Sequence, residues 1–392
     1  MASTSAEDLI LEALRRRPSA QRLEPGPGAR YVLYGAGNLA RQILAMLRQL
    51  GAEVVAFIDQ RAVAGGKLEG IPMLHPDDPE LRRQTAGADG IIIAVYNHRA
   101  NLRDIFTLLR ARTNAPLFSA PDLARAVPRG KLLLDYWLDL LEEPAATGEI
   151  APRLAHTHGL LADALSRELF LELVALRASG DYEATHTRMH QPDLERQYFP
   201  ADLPAPICAQ RIIDCGAYDG DTLAAALQFA GPVERAACFE PDARNFRKLV
   251  ARTQTIPPGP EIELFPLAVW LETAVLTFDA DREASSSLAS TAAAGRASAK
   301  VHVQAVALDE ALRHFRPTLL KMDIESAELP ALRGAANLIA AARPQLAICI
   351  YHRFDHYWLL PEFIESLQCG YRLYLRPHGF NGQETVLYAL PG

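Results

Sequence analysis

Two stretches of this chain show the same order of patterns: an apolar run, a glycine-rich turn and then a helical pattern. The first is "YVLYGAGNLA" at 31–40 and the second is "RIIDCGAYDGDT" at 211–222. After each stretch, short apolar runs that predict single strands, such as "GIIIAVY", "IELFPLAV" or "TLLKMDI", keep alternating with helical patterns. This βαβ alternation predicts parallel sheets covered by helices. We therefore expect an α/β protein with two Rossmann-like domains.

The 392 residues divide into four predicted regions. Between the two α/β regions, "KLLLDYWLDLLEE" and "HGLLADALSRELFLELVALRASGD" carry apolar residues at helical spacing. The closing runs "YRLYLR" and "ETVLYAL" predict an antiparallel strand pair at the end of an otherwise parallel sheet. The small, polar stretch 281–300 predicts a surface loop or a lid. The regions are an N-terminal helical extension at 1–28, a nucleotide-binding-type Rossmann domain at 29–125, a helical connector at 126–200 and a second domain at 201–392.

The bulk properties exclude several classes of protein. A net charge of -7 argues against a general binder of nucleic acids or anionic membranes. No apolar stretch reaches the roughly 18 residues that a membrane span needs. The N-terminus lacks the basic start and apolar core of a secretion signal. The cysteines show neither a CxxC pair nor a metal spacing, which predicts buried free thiols in the cytoplasm; they are Cys208, Cys215, Cys238, Cys349 and Cys369.

The second glycine turn combines a carboxylate with two glycines where a strand ends. Gly216 and Gly220 allow the backbone to approach a ligand, and Asp221 and Thr222 suit the start of a helix. Asp214 precedes the glycines, where a carboxylate would repel a pyrophosphate but suits a cationic ligand such as S-adenosylmethionine. The alternative is a solvated carboxylate at a strand end.

An acid at the end of the next strand strengthens this interpretation. Glu240 closes the run "AACFE" and lies 240 - 214 = 26 residues after Asp214. A carboxylate in this position can accept hydrogen bonds from both hydroxyls of a ribose.

A third group of charged residues follows the strand "TLLKMDI". Lys321 and Asp323 lie two residues apart and share one face of that strand. A helix is expected to start near Glu325, which would place Glu325 and Glu328 on one helix face. The alternative is a capped, solvated helix N-terminus.

The motifs "RQYFP", "IIDCGAYDGDT", "FEPDARNFRKL", "VALDEAL" and "KMDIESAELPALRGA" resemble, in order and spacing, the FkbM family of methyltransferases. The resemblance covers about residues 195–390 and implies a class I methyltransferase fold, S-adenosylmethionine as cofactor and O-methylation of a sugar or natural-product hydroxyl. It implies that Asp323 faces the methyl-transfer site. The chain departs from the family pattern at Ser326, where the family usually has glycine. The implied cofactor contacts are Asp214, Gly216, Ala217, Tyr218, Gly220, Asp221, Thr222, Glu240, Pro241, Asp242 and Asn245.

A hydroxyl is a weak nucleophile, so a base or a metal ion is expected to help remove its proton. Candidate catalytic residues are Asp323, Glu325, Lys321, His352 and His378. A structural role is the alternative for each histidine, and a plain salt bridge is the alternative for Lys321. Asp323, Glu325 and Glu328 are candidate ligands for Mg²⁺, which prefers oxygen ligands.

The first glycine turn has a different chemistry. Gly35, Gly37 and Ala40 follow a G-x-G-x-x-A spacing, helix "NLARQILAMLRQLG" starts at Asn38, and Asp59 lies 59 - 37 = 22 residues after Gly37. No acid precedes these glycines, so the turn suits a phosphate at the helix N-terminus.

The segment "VLYGAGNLARQILAMLRQLGAEVVAFIDQ" is similar to the N-terminal domain of sugar O-acyltransferases. That similarity implies a second site for the diphosphate of a nucleotide sugar at Gly35, Gly37, Asn38 and Asp59, with Asn97, His98 and Arg99 as further contacts. The alternatives are an NAD site, or a domain kept for packing or for formation of a homodimer.

The leading prediction is an S-adenosylmethionine-dependent O-methyltransferase acting on a sugar, nucleotide sugar, glycan or secondary metabolite. The first alternative is an NAD-dependent oxidoreductase centred on the first domain, although no Tyr-x-x-x-Lys pair follows its Rossmann unit. The second alternative is a non-catalytic protein that binds S-adenosylmethionine or a nucleotide sugar.

Overall fold

The computed structural model describes residues 5–15, 23–127, 147–182, 187–279 and 300–392. The stretch "KLLLDYWLDLLEE" lies outside these ranges. So does the predicted loop at 281–300, apart from Lys300, with which a strand begins. Among the described residues, no helix has the length and apolar character that crossing a bilayer requires.

The first domain is built on a six-stranded sheet with the order β3-β4-β2-β1-β5-β6. All its neighbouring strands run parallel except β3, which pairs with β4 in antiparallel fashion. Its central strands β1 and β5 are apolar and almost fully buried because helices cover both faces. The strands are β1 Arg30–Tyr34, β2 Glu53–Ile58, β3 Lys67–Leu68, β4 Ile71–Leu74, β5 Gly90–Ile93 and β6 Leu117–Ser119. After helix α1 Ala6–Arg15, the helices of this domain are α2 Asn38–Gln49, α3 Leu81–Thr85, α4 Leu102–Arg112 and α5 Ala120–Ala126.

Two helices occupy the predicted connector, α6 Thr147–Leu160 and α7 Ala164–Ser179. Both contact α1, which buries Ile10, Ala13 and Leu14. The buried guanidinium of Arg376 ties the connector to the second domain, because it donates to Asp163 at 2.8 Å and to Asp202 at 2.9 Å.

The second domain is built on a seven-stranded sheet with the order β15-β16-β14-β13-β7-β8-β9. Strand β16 runs antiparallel to β14 and β15, and the remaining pairs are parallel. Its strands are β7 Arg211–Cys215, β8 Arg235–Phe239, β9 Glu261–Phe265, β13 Leu319–Met322, β14 Gln345–Cys349, β15 Tyr371–Pro377 and β16 Thr385–Pro391. A small sheet holds β10 Ala268–Val269, β11 Ala274–Asp279 and β12 Lys300–Val306. The helices are α8 Asp221–Phe229, α9 Ala243–Thr253, α10 Leu308–Ala311, α11 Glu328–Arg333, α12 Ala336–Ala342 and α13 His356–Ser366.

These sheets confirm the predicted fold class, including the terminal antiparallel pair and the helical connector. One predicted strand is wrong. "IELFPLAV" was expected to be one strand, but it divides into β9 and β10, which lie in different sheets. Pro266 stands between them and has no N–H group with which to continue a ladder.

Each large sheet has a switch point, where the chain continues to opposite sides of one strand. In the first sheet β1 has β2 on one side and β5 on the other, and in the second sheet β7 has β8 and β13 as its neighbours. The carboxyl ends of strands at a switch point border a crevice, which is where ligands bind in open α/β sheets.

Candidate functional site

The candidate site lies at the carboxyl edge of the second sheet, around its switch point. Loops leave this edge after β7, β8, β13 and β14, and β16 starts from it because that strand is antiparallel. The sequence motifs of the second domain follow these strands, so the fold brings them to one edge.

The glycine turn after β7 is shaped by contacts within the protein. Gly216 has a φ of 77°, and a Cβ atom there would lie 1.9 Å from the carbonyl oxygen of Asp323. Gly220 has a φ of 88° and caps α8, where a Cβ atom would lie 3.1 Å from Leu249 Cδ1. These contacts within the protein favour glycine at both positions independently of a ligand. A side chain at either position would strain the backbone and meet the protein itself, before any ligand is considered.

Asp214 and Lys321 form a buried ion pair behind this turn. The Nζ atom of Lys321 lies 3.0 Å from Asp214 Oδ1 and donates to the carbonyl oxygen of Gly216 at 2.6 Å. Burial raises the pKa of Asp214 to about 6, although the charge of Lys321 opposes that shift. Burial alone would lower the pKa of Lys321, but the carboxylates of Asp214 and Asp323 outweigh it and raise that pKa. From the sequence, Asp214 was expected to offer its charge to a cationic ligand. In the structure this charge is paired with Lys321, and the ion pair shapes the loop.

Glu240 follows β8 directly and lies beside the glycine turn. Its Oε2 accepts a hydrogen bond from the backbone N–H of Tyr218 at 2.9 Å, and its Oε1 accepts one from Asp242 at 2.8 Å. Burial raises the pKa of the Glu240 carboxyl group to about 6. Each oxygen keeps a further lone pair, so two vicinal hydroxyl groups fit this carboxylate.

The other predicted cofactor residues lie around the same turn. Tyr218 has a φ of 46° and leaves 49% of its surface exposed. Asp242 caps α9 by accepting hydrogen bonds from the N–H groups of Arg244 and Asn245, at 2.9 Å each. By position in the fold, Ala217 belongs to the turn, Asp221 and Thr222 start α8, and Pro241, Asp242 and Asn245 lie at the start of α9.

Three carboxylates surround a buried histidine at the ends of β13 and β14. His352 Nδ1 lies 3.0 Å from Glu328 Oε1. His352 Nε2 lies 3.4 Å from Asp323 Oδ1 and 3.5 Å from Glu325 Oε2. Glu328 is fully buried and also accepts the backbone N–H of Ile324 at 3.0 Å. The sequence prediction that these acids gather at one place therefore agrees with the geometry.

The electrostatics of this cluster favour a charged histidine beside a carboxyl group that can exchange a proton. Burial alone would lower the pKa of His352, but Glu328 and Glu325 outweigh it and raise that pKa to about 10. Burial raises the pKa of Glu325 to about 7, although its side chain is still 34% exposed. His352 outweighs burial at Glu328 and keeps that pKa below its ordinary value. Near neutral pH the cluster thus holds an imidazolium, an ionised Glu328 and a half-titrated Glu325.

The helix after β13 starts later than the sequence predicted. Glu325 has a φ of 53° and Ser326 a φ of 81°, so neither has a right-handed helical backbone, and α11 begins at Glu328. The prediction that Glu325 and Glu328 share a helix face is therefore wrong. The left-handed turn instead separates Glu325 from the helix and leaves it partly exposed.

Two adjacent residues of the "RQYFP" segment contact the site, which the sequence did not reveal. The Tyr198 hydroxyl donates to Asp323 Oδ2 at 2.8 Å, and Gln197 Nε2 donates to Glu384 Oε2 at 2.6 Å. Glu384 directly precedes β16 and also accepts a hydrogen bond from the Tyr351 hydroxyl at 3.1 Å. A cavity of about 290 Å³ opens nearby, and Gln197, Tyr198, Asp221 and Thr222 are among its lining residues.

His378 lies in a different environment from His352. Its Nε2 lies 2.8 Å from the Tyr388 hydroxyl, and its Nδ1 lies 3.2 Å from the carbonyl oxygen of Asp193. Burial lowers its pKa to about 4. Both ring nitrogens of His378 thus have hydrogen-bond partners within the protein, which favours a structural role for this histidine over a catalytic one.

The acid that follows β2, Asp59, forms a hydrogen bond with the first glycine turn. Asp59 Oδ2 accepts the backbone N–H of Ala36 at 2.9 Å, and Arg61 Nε donates to Asp59 Oδ1 at 2.9 Å. Gly35 has a φ of 102°, and Gly37 is the N-cap of α2, which begins with Asn38. The predicted second-site residues thus lie together, but an arginine neutralises Asp59.

One group of side chains has the spacing of a metal site. Ligand atoms of Asp323, Glu328 and His352 lie within 4.8 Å of one another. Glu328 is turned toward His352, and His356 Nδ1 lies 3.4 Å from its Oε2.

One known family model matches the second domain. Residues 214–373 match the family model described as the methyltransferase FkbM domain. No curated protein matches the chain.

Three solved structures are similar to the chain or to parts of it. A crystal structure of methyltransferase FkbM from Methylobacillus flagellatus matches 98% of this chain and 96% of that chain, with 22% identity and a TM-score of 0.71. UDP-D-quinovosamine 4-dehydrogenase from Vibrio fischeri covers 27% of this chain and 98% of its own, with 21% identity and a TM-score of 0.19. Fibrillarin from Aeropyrum pernix, in complex with S-adenosylmethionine, covers 50% of this chain and 71% of its own, with 17% identity and a TM-score of 0.29. The first of these shares the fold of nearly the whole chain, and the match of residues 214–373 to the FkbM domain supports a methyltransferase.

Proposed function

We propose that this protein transfers the methyl group of S-adenosylmethionine to a hydroxyl of a sugar, glycan or secondary metabolite. The observation that carries the proposal is Glu325, a partly exposed carboxylate 3.5 Å from a buried histidine, at the same sheet edge as Glu240. The donor would be held by the turn after β7, with its ribose hydroxyls on Glu240. When bound there, it supplies a methyl group on a sulfonium sulfur to the acceptor oxygen.

Glu325 is the proposed general base, and it takes the proton of the acceptor hydroxyl. A base with a pKa of about 7 is largely ionised at slightly alkaline pH and still accepts a proton readily. His352 carries a positive charge between the carboxylates and is held by Glu328. Asp323 is fixed by the Tyr198 hydroxyl and is the proposed hydrogen-bond acceptor for the substrate.

The acceptor class follows from the number of carboxylates at this edge. Asp323, Glu325 and Glu384 are strong hydrogen-bond acceptors, and several hydroxyl groups of one molecule can donate to such a group. A polyhydroxylated acceptor therefore fits this edge of the sheet.

Transfer of radioactive methyl groups tests this proposal. Methyl glycosides, nucleoside-diphosphate sugars and macrolide alcohols would be offered with labelled S-adenosylmethionine. Glu325→Gln should abolish transfer and leave the affinity for S-adenosylhomocysteine within about twofold, because Glu325 removes a proton and does not hold the donor. Undiminished turnover in this variant would refute its role. Incorporation into none of these alcohols would reject the acceptor class.

Two alternatives are tested on the same sample. Stabilisation against heat by NAD⁺, but not by S-adenosylhomocysteine, would favour the oxidoreductase. Loss of transfer after dialysis against EDTA, restored by Mg²⁺, would establish a metal site at Asp323, Glu325 and Glu328. We expect no such loss, since the protonated His352 already supplies a positive charge to these carboxylates.

A nucleotide-sugar site in the first domain is a separate proposal. A cleft of about 480 Å³ lies beside the end of β4, and Lys67, Leu74 and His75 are among its lining residues. The backbone N–H of Asp59 bonds the carbonyl oxygen of Leu74 at 3.0 Å, which places the cleft near Asp59, although Gly35, Gly37 and Asn38 do not line it. Calorimetry with UDP-sugars, GDP-sugars and NAD⁺ tests it, and no heat with any of them would leave a domain that serves packing or dimer formation.

A further inference from the structure

The carboxyl edges of the two large sheets contact each other between the two domains. The loop after β5, residues 97–101, packs on the turn 378–384 that joins β15 and β16. The backbone N–H of Phe380 bonds the carbonyl oxygen of His98 at 2.9 Å, and Asn381 Nδ2 donates to the carbonyl oxygen of Ala100 at 2.7 Å. Both segments lie at the edge where ligands bind in such sheets, so the contact joins two crevices.

Glu384 is the charged residue at the centre of this contact. His98 Nδ1 lies 3.2 Å from Glu384 Oε1, while Gln197 and Tyr351 donate to Glu384 Oε2. Only 12% of the Glu384 side chain is exposed, and its φ of 55° is a left-handed conformation that costs energy for glutamate. Three segments from separate parts of the chain thus hold one strained, buried carboxylate in place.

The hydrogen bonds assign a tautomer to His98. Arg99 Nε donates to His98 Nε2 at 3.1 Å, so Nε2 acts as the acceptor. In the neutral ring the proton then lies on Nδ1, which points to Glu384 Oε1. His98 can therefore donate one hydrogen bond to Glu384 without becoming charged, and Oε1 keeps a lone pair for a further donor.

Two pairs of consecutive residues link Glu384 to the methyl-transfer cluster. Gln197 binds Glu384 and its neighbour Tyr198 binds Asp323. Tyr351 binds Glu384, and its ring lies 4.1 Å, centroid to centroid, from the ring of His352. The carboxylates of Glu384 and Asp323 are therefore held at a fixed relative position by the same two short segments.

We propose that the first domain completes the acceptor site, with His98 orienting Glu384 to bind a second hydroxyl of the polyol that is methylated next to Asp323 and Glu325. His98 is a positioning residue, and the ligand class is a molecule with at least two hydroxyl groups. The proposal rests on the proposed function, since it requires a hydroxylated acceptor. It adds that the first domain contributes to acceptor binding and not to binding of the donor.

The test compares His98→Ala with two matched controls. His156→Ala removes a histidine of α6 that also contacts a carboxylate, since its Nε2 lies 2.6 Å from Glu365 Oε2. Asn381→Gly removes the bond to Ala100 and the bond that the Leu102 N–H donates to Asn381 Oδ1 at 3.2 Å, and glycine retains the left-handed backbone of φ 62°. His98→Ala should raise the KM of the acceptor about tenfold or more, as loss of a hydrogen bond to a charged group does. kcat and the affinity for S-adenosylhomocysteine should stay near those of the wild type, and both controls should retain the wild-type KM.

A wild-type acceptor KM in His98→Ala would overturn the proposal. Equal increases in His98→Ala and Asn381→Gly would also overturn it, because the contact would then act only by holding the domains together. Glu384→Gln provides a second variant, and adding His98→Ala to it should raise the KM no further.

An NMR measurement tests the predicted tautomer of His98 in the absence of any acceptor. Nitrogen-15 shifts of the imidazole should show His98 as the Nδ1–H tautomer, and an Nε2–H tautomer would contradict the proposal. If the wild type methylates no hydroxyl compound, the proposed function fails, and the tautomer still reports on His98 by itself.

Discussion

The two glycine turns of this protein share a scaffold and differ in charge. In each, the acid after the second strand accepts a backbone N–H from the turn, at 2.9 Å for Asp59 with Ala36 and at 2.9 Å for Glu240 with Tyr218. Arg61 neutralises Asp59, whereas Glu240 is held by backbone N–H groups alone among the hydrogen bonds of its described surroundings. The same fold thus produces an acid that is already paired and an acid that can receive hydroxyl groups.

The strands behind the turns differ in the same way. In the first sheet, Leu33 of β1 pairs with Ile92 of β5. At the corresponding place in the second sheet, Asp214 of β7 pairs with Lys321 of β13. An apolar pair is the simpler way to stabilise a sheet core, because a buried ion pair is expensive to desolvate. The comparison suggests that the ion pair is kept for the loop that Lys321 holds through the Gly216 carbonyl.

The largest expected effect comes from breaking that ion pair. Lys321→Met leaves Asp214 buried without a partner and should destabilise the protein by about 3–5 kcal/mol. The loss should be smaller at pH 5 than at pH 8, because a protonated Asp214 needs no partner. Urea denaturation measures both effects.

Replacing the ion pair of the second sheet by an apolar pair, like Leu33 and Ile92 in the first sheet, tests the same comparison further. Asp214→Leu with Lys321→Ile should recover most of the stability, but not the affinity for S-adenosylhomocysteine, since the Gly216 carbonyl loses its donor. Recovery of both would show that the ion pair has no role in shaping the loop.

The next largest effect distinguishes the two acids that follow the second strand of each domain, Asp59 and Glu240. Glu240→Ala should weaken binding of S-adenosylhomocysteine about 10- to 100-fold, as expected for lost hydrogen bonds to a charged group. Asp59→Ala should leave that affinity unchanged. Isothermal titration calorimetry measures both, and equal losses would remove the distinction between the turns.

The pH dependence of methyl transfer tests the proposed roles of Glu325 and His352, which belong to the cluster in the second domain. The rate should rise as pH increases through about 7, where Glu325 ionises, and fall through about 10, where His352 loses its proton. At pH 6 the rate should be roughly a tenth of its maximum, because one pH unit below a required pKa leaves about that fraction ionised. The pH profile of kcat/KM measures this, and a rate that does not change between pH 6 and 8 would contradict Glu325 as the base.

The smallest effect concerns the turn after β13. Ser326 has a φ of 81°, and the corresponding loop of the first sheet has no non-glycine residue with positive φ within its described residues 94–101. Ser326→Gly should stabilise the protein by about 0.5–1 kcal/mol, because relief of the left-handed strain exceeds the entropy cost of glycine. Thermal unfolding measures it, with Ser366→Gly at the end of α13 as a control that should not stabilise.

The sequence was sufficient for the architecture because buried strands and their helices leave local patterns. The alternation of strands and helices along the chain, the terminal antiparallel pair and the connector helices follow from apolar runs and turn residues of the kind that end at Cys215 or start at Thr385. The positions of Glu240 and of the acids after β13 follow in the same way, since parallel strands end at one edge.

The contacts that define the site could not be predicted, because they join residues far apart in the chain. Lys321 was predicted to neutralise the carboxylates, to orient the substrate or to form a plain salt bridge, and no local signal shows that its partner is Asp214. Glu384 was not predicted as a site residue, because its partners Gln197 and His98 come from other segments of the chain. An acid at the start of the last strand was the available signal, since an antiparallel strand begins at the edge where the parallel strands end.

A crystal structure with S-adenosylhomocysteine tests the central claim most directly. We predict that the two ribose hydroxyls of the ligand lie on Glu240, that its homocysteine end points toward Glu325, and that the turn at Gly35 holds no copy of it. A ligand bound at Gly35 instead, or bound in the second domain with its ribose away from Glu240, would contradict the claim.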